Sequence, residues 1–166
     1  MYPTMNDAIL KNLIFLSTRV NCFDLSPTVL SVIAAEMYFR GALHRFLEYF
    51  AWVILWGFDA KRVESLSVGI AQIQLKRWIE LGYISSYSPS FSHFKSVSSV
   101  DNNYDACRRY LTQCSSVEPT NSKELSELYS GRARVFHVKV LELAFEAAAK
   151  ISLTKASSRR AKVARG

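Results

Sequence analysis

A carboxylate placed at the end of an apolar helix is positioned to act as an acid near neutral pH, and Glu36 has that setting. It closes the run Leu30-Ser31-Val32-Ile33-Ala34-Ala35-Glu36, in which Leu30, Ile33 and Ala34 recur at helical spacing and Met37 continues the face. Burial at such a position disfavours the ionised form and raises the pKa, as a general acid requires. The competing reading is a solvent-facing Glu36 paired with Arg40 four residues on. Arg40, His44 and Glu48 extend the four-residue spacing from Glu36, with Arg45 alongside. That row is either a salt-bridged surface stripe or the polar floor of a groove leading away from Glu36.

A second group lies in Ser67-Val68-Gly69-Ile70-Ala71-Gln72-Ile73. Gly69 permits a positive φ or a close approach of backbone to a ligand, and Gln72 offers an amide donor and acceptor among apolar residues. Glu64, with Ser65, stands just before this motif and is a rival to Glu36 as the acid. Metal chemistry has no matching pattern: Cys22, Cys107 and Cys114 lack ligand spacing and His44, His93 and His137 are scattered, so no metal and no cofactor are expected. Cys107 and Cys114 stand about two helical turns apart, too far for an unstrained disulfide within one helix, and are expected to be reduced or buried.

The elements that must position these groups are helical. Residues 5–20 predict a first helix through Ile9, Leu10, Leu13, Ile14 and Leu16. Ser26-Pro27 starts a second that runs toward Trp56 and loosens near Gly41. Residues 70–81 predict a helix ending at Gly82, and the Ser-rich 84–100, with Pro89, Tyr87, Phe91 and Phe94, a surface loop. Asp101 is expected to cap a helix over 103–113. Ser115 to Ser122 reads as a loop, a further helix starts at Ser122 and is broken at Tyr129-Ser130-Gly131, and a last one covers 133–151. No strand-like alternation of useful length occurs, so the fold class is all-α.

The chain has 166 residues with 49% hydrophobic content, enough for one domain with a proper core. Residues 1–150 are expected to form that single compact helical domain. Six of the 21 basic residues lie between Lys150 and Gly166, which leaves 15 against 14 acids in the body. The stretch 151–166 therefore reads as a basic, disordered tail suited to an anionic polymer or membrane surface. The apolar stretch near Ala8 to Leu16 is interrupted by Lys11 and Asn12 and is not a clear signal peptide. Phe50 to Phe58 is strongly apolar but too short to span a bilayer, and reads as a buried helix end or an interfacial patch.

The order of these pieces resembles the goose-type lysozyme and lytic transglycosylase superfamily. Leu30 to Arg40 looks like that family's apolar helix ending in a catalytic Glu. Gly69-Ile70-Ala71-Gln72-Ile73 is similar to its Gly-Leu-Met-Gln-Ile motif. Asn103, Cys107, Tyr110 and Leu111 are similar to its Asn-x-x-x-(small)-x-x-Tyr-Leu helix, and Tyr129-Ser130-Gly131 to its Tyr-Asn-Gly turn. Met37 stands where the family usually has Ser, Ser130 where it has Asn, and the interval from Glu36 to Gly69 is longer than in most members. The resemblance implies a lysozyme-like domain that cleaves the β-1,4 bond between N-acetylmuramic acid and N-acetylglucosamine in peptidoglycan at the cell wall. Glu36 would be the acid, and Ser67, Gly69, Ile70, Ala71 and Gln72 would line the sugar groove. Tyr129 would orient Glu36. Glu64 and Asp59 are the carboxylates near the Gly69 motif that could assist an attacking water. Since neither is securely placed, the implied chemistry leans to lytic transglycosylase. Two other classes stay open: a nucleic-acid- or partner-binding helical module using the basic tail, and a membrane-active protein using Phe46 to Phe58.

Overall fold

Ser26 and Pro27 start a helix that the rest of the chain surrounds. The computed structural model describes residues 4–22, 25–114, 122–130 and 135–163. In it α1 covers Met5–Arg19 and α2 covers Pro27–Phe39, with the Ser26 side chain accepting from the Val29 amide. Every residue from Thr28 to Ala35 is buried, which a helix apolar on all sides requires. α2 packs against α1, α7 (Val100–Cys114) and above all α9 (Val135–Val163), burying Leu13, Leu16, Leu30, Ile33, Leu141 and Ala144 in one core. The fold is all-α apart from one small hairpin.

The second helix does not run through to Trp56. It stops at Phe39, and Gly41, extended at φ −62° and ψ 174°, starts a separate α3 over Ala42–Phe58. Asp59 caps the short α4, Ala60–Ser65, by accepting from the Arg62 amide at 3.2 Å.

The predicted helix over 70–81 is half hairpin. β1 (Ser67–Val68) pairs antiparallel with β2 (Ile73–Gln74), Ser67 opposite Gln74 and Val68 opposite Ile73, and only then does α5 begin, at Leu75–Glu80. Gly82, at φ 81°, closes it as expected. The serine-rich loop is also partly helix: Ser90 accepts from the His93 amide and starts α6, Phe91–Ser98. Phe94 and Val97 then face inward, with the Phe94 ring 5.0 Å from that of Trp52.

Asp101 lies inside α7 and caps nothing there. Its carboxylate accepts instead from the Asn21 amide at 2.8 Å and the Asn21 side chain at 3.2 Å, tying the chain leaving α1 to α7. α8 covers Ser122–Ser130, while residues 115–121 and the turn at Gly131 lie outside the described residues.

The stretch expected to be a disordered tail from 151 continues α9 as helix to Val163. Ser152 and Lys155 share a face with Ala144 and Ala148 and find partners at the other end of the chain. Ser152 donates to the Leu25 carbonyl at 3.0 Å, and Lys155 donates to the Ser17 carbonyl in the last turn of α1. A cation on a helix C-terminus meets both the unpaired carbonyls and the negative end of the dipole. No helix among the described residues is long and apolar enough to cross a membrane.

Candidate active site

Glu36 sits on the last turn of α2, where the all-buried helix meets the polar corner at Arg40. Its side chain is only 12% exposed. Burial pushes its carboxyl up to about 7; the Arg40 guanidinium, 3.9 Å away, pulls it down less strongly, and the Glu48 charge adds to the rise. Cys107 of α7 packs on the same region: it is fully buried, and its thiol is pushed up first by burial and then by the charge of Glu36. Both sequence readings of Glu36 therefore hold in part. It is buried, and it also has Arg40 beside it.

The row at four-residue spacing folds into a cluster because the chain bends at Gly41. Arg40 donates to Glu48 at 2.8 Å and to the Gln72 side-chain oxygen Oε1 at 2.5 Å. His44 approaches Glu48 at 3.4 Å, and Arg45 donates to the Arg40 carbonyl at 2.6 Å. The Gln72 side-chain Nε2 donates to Glu48 at 2.8 Å and to the Gly69 carbonyl at 2.9 Å. Arg40 thus touches Glu36, Glu48 and Gln72, and joins the end of α2, the inner face of α3 and the hairpin turn.

The hairpin turn is held from below by Asn103. This side chain, fully buried, accepts from the Ala71 amide at 3.1 Å and donates to the Val97 and Ser99 carbonyls, both at 2.7 Å. Gly69 has φ 82°, and a Cβ there would stand 2.4 Å from Asn103 Oδ1 and 2.8 Å from the Val97 carbonyl oxygen. Only glycine fits both constraints. Gln72 also takes a positive φ, 55°, rare outside glycine, and the two bonds from its amide nitrogen hold it there. Tyr104, next to Asn103, accepts from the Ser26 amide at 2.7 Å, so one turn of α7 anchors both the hairpin and the start of α2.

The predicted site residues divide accordingly. Glu36 and Gln72 come together through Arg40. Gly69 and Ala71 are buried and support the turn. Ser67 and Gln72 line a surface cavity of about 200 Å³ with Ile73, Gln74, Arg77 and Tyr110; neither Glu36 nor Ile70 is among its lining residues. Glu64, half-buried on α4, is outside the cluster: its charge acts on Tyr87, whereas Glu36 answers to Arg40 and Glu48 and acts on Cys107. Asp59 is held as the cap of α4 and in an ion pair with Arg62 at 3.2 Å. Tyr129 falls in α8, and its side chain lies outside the described residues. Glu48 is the second carboxylate of the site; sequence reading named it in the four-residue row, as surface stripe or groove floor, but not as a partner acid. The signal that finds it is the single acid of a largely apolar helix, four residues before the buried Trp52.

The raised acid makes a prediction for stability. Between pH 4.5 and about 7 the unfolded chain loses the Glu36 proton and the folded chain keeps it, so stability falls as pH rises through this window. At about 1.4 kcal/mol per pH unit the span amounts to about 3 kcal/mol. In Glu36→Gln this contribution is absent. Urea unfolding of both proteins at pH 4.5 and 7.5 should show the variant gaining on the parent by that amount; a constant difference would mean Glu36 is not held as an acid.

Compared with protein-family models, curated protein sequences and solved structures, the chain matches none, so the functional reading rests on this geometry and on the motif order.

Proposed function

We propose that the chain cleaves peptidoglycan between N-acetylmuramic acid and N-acetylglucosamine, with Glu36 as general acid and then base. The observation that carries this reading is a carboxyl held near 7 by burial, beside the Arg40, Glu48 and Gln72 cluster. Such an acid is protonated often enough near neutral pH to transfer a proton, and is a competent base once it has done so.

The reaction follows from which groups are free. Glu36 gives its proton to the glycosidic oxygen as the bond to C1 of the muramic acid breaks. An attacking water would need a second carboxylate free to activate it. Glu48 does not meet that need: one oxygen accepts from Arg40, with His44 at 3.4 Å, and the other accepts from Gln72. The nucleophile that fits is the C6 hydroxyl of the muramic acid itself. It bonds to C1 and returns its proton to Glu36, so no water is consumed and a 1,6-anhydro end is left. The lytic transglycosylase reading is thereby favoured over the lysozyme one. Glu48 and Gln72 act as positioning residues, fixing Arg40 beside the acid.

Mass spectrometry of muropeptides released from purified sacculi tests this directly. Anhydro ends are expected. Reducing ends would replace the transglycosylase with a hydrolase, and no release at all would end the enzymatic reading.

A further inference from the structure

The serine-rich stretch that leads into α6 holds a second pair of groups, with the geometry of a nucleophile and its base. Ser85 Oγ stands 3.2 Å from His93 Nε2, and Nδ1 of the same ring lies 2.6 Å from the Ser88 carbonyl oxygen. The partners decide the tautomer. A carbonyl only accepts, so Nδ1 carries the proton; the Ser85 backbone amide, 3.4 Å from Nε2, only donates, so Nε2 keeps its lone pair. The Ser85 hydroxyl therefore donates to an imidazole nitrogen able to take its proton, which is what activates a serine as a nucleophile.

The fold fixes both members. Ser90 accepts from the His93 amide at 3.3 Å and sets the ring in the first turn of α6, where His93 is only 8% exposed. On either side of Ser85 the loop is pinned: Ser96 donates to the Tyr83 carbonyl at 2.9 Å, and the buried Trp52 indole donates to the Tyr87 carbonyl at 2.7 Å. Ile84 is turned inward and Ser85 outward, so the hydroxyl meets solvent while the base behind it is shielded. As a tie for the loop, the ring needs only the Ser88 carbonyl and the Ser85 amide. The hydroxyl on the same nitrogen adds a reactive group that the tie does not require.

We infer that Ser85 and His93 are a second catalytic pair, which hydrolyses a carboxylic ester through an acyl-serine. Ser85 Oγ bonds to the acyl carbon as its proton passes to His93 Nε2. The bond from the acyl carbon to the alcohol oxygen then breaks, and the departing alcohol takes that proton. Water repeats the sequence: it gives a proton to Nε2 and bonds to the acyl carbon, Ser85 leaves with the proton, and the carboxylic acid is released. Behind the ring stands the neutral Ser88 carbonyl and no carboxylate, so the imidazolium is stabilised less than in a Ser-His-Asp triad. That restricts the pair to esters, whose alcohol leaves more readily than the amine of an amide. The reaction uses no member of the Glu36 cluster and does not depend on glycan cleavage.

A fluorophosphonate probe, which reacts with activated serine hydroxyls, tests the pair in the full chain. Ser86 is the internal control: it is equally exposed, but its hydroxyl accepts from the Ser88 amide and not from a base. Peptide mapping should find Ser85 labelled about a hundredfold faster than Ser86, the gain a positioned base supplies. p-Nitrophenyl acetate should be hydrolysed by the parent, and Ser85→Ala should remove that turnover. His93→Gln should slow labelling of Ser85 by about a hundredfold, with circular dichroism as the check on its fold. The comparison of Ser85 with Ser86 needs no variant, so it stands whether or not His93→Gln folds. The inference is overturned if Ser85 is labelled no faster than Ser86, or if a folded His93→Gln protein is labelled at the parent's rate. It is equally overturned if ester turnover is absent from the parent or survives in Ser85→Ala.

Discussion

Glu36→Gln is expected to lower muropeptide release from sacculi by about a hundredfold or more while the protein stays folded. Gln preserves the shape of the side chain and removes the transferable proton, so the loss should appear in turnover and not in substrate binding. Folding should improve at neutral pH, because a neutral amide is easier to bury than a carboxylate pushed up to about 7. The parent's rate should also fall above pH 7 as Glu36 ionises, a limb of the profile that follows the proton donor. Glu64→Gln is the control: on α4, outside the cluster, it should leave the rate near the parent's. An active Glu36→Gln protein beside a silent Glu64→Gln one would move the acid to the hairpin's other flank.

Gly69→Ala should unfold the protein more readily by about 4 kcal/mol, the joint effect of a left-handed backbone carrying a Cβ and of a displaced buried Asn103. Both parts are visible in the geometry, since the added atom would lie 2.4 Å from Asn103 Oδ1 at φ 82°. For a chain of this size the melting temperature should drop by roughly 10 °C. In an Asn103→Ala background the clash with Asn103 Oδ1 disappears while that with the Val97 carbonyl oxygen stays, and Gly69→Ala should then cost about 2–3 kcal/mol. A shift below about 1 kcal/mol in the parent background would show that the turn is not clamped as described.

Those two positions mark how far the sequence could be read. Glu36 is legible because the residues before it are apolar on every side of the helix, and such a helix can only be central. Gly69 and Gln72 are legible as chemistry but not as a hairpin, since two residues per strand are too few for an alternating pattern to appear. Their pairing is specified instead by Asn103, and a contact over so long an interval leaves no local trace. The same reason hid Glu48: its role depends on the bend at Gly41, which turns α3 so that its one acid faces Arg40. Residues 91–98 hid a helix behind their serines, although Ser90 was available as its cap and Phe91, Phe94 and Val97 keep a three-residue spacing. The end of the chain misled differently. Its composition is that of a solvated tail, but Ser152 and Lys155 find carbonyl acceptors at Leu25 and Ser17, and tertiary partners outweigh composition.

The tie between the last helix and the first has a consequence for synthesis. Lys155 meets Ser17 across 138 residues, and α9 is the main neighbour of the all-buried α2. A ribosome delivers α2 well before its cover. At about 5–20 residues per second, this helix, buried along Thr28–Ala35 in the fold, waits on the order of ten seconds without its principal partner. During that interval the nascent protein exposes Leu30, Ile33 and their neighbours, a surface to which chaperones bind. Synthesis of α9, more than any local step, is then the event that closes the core.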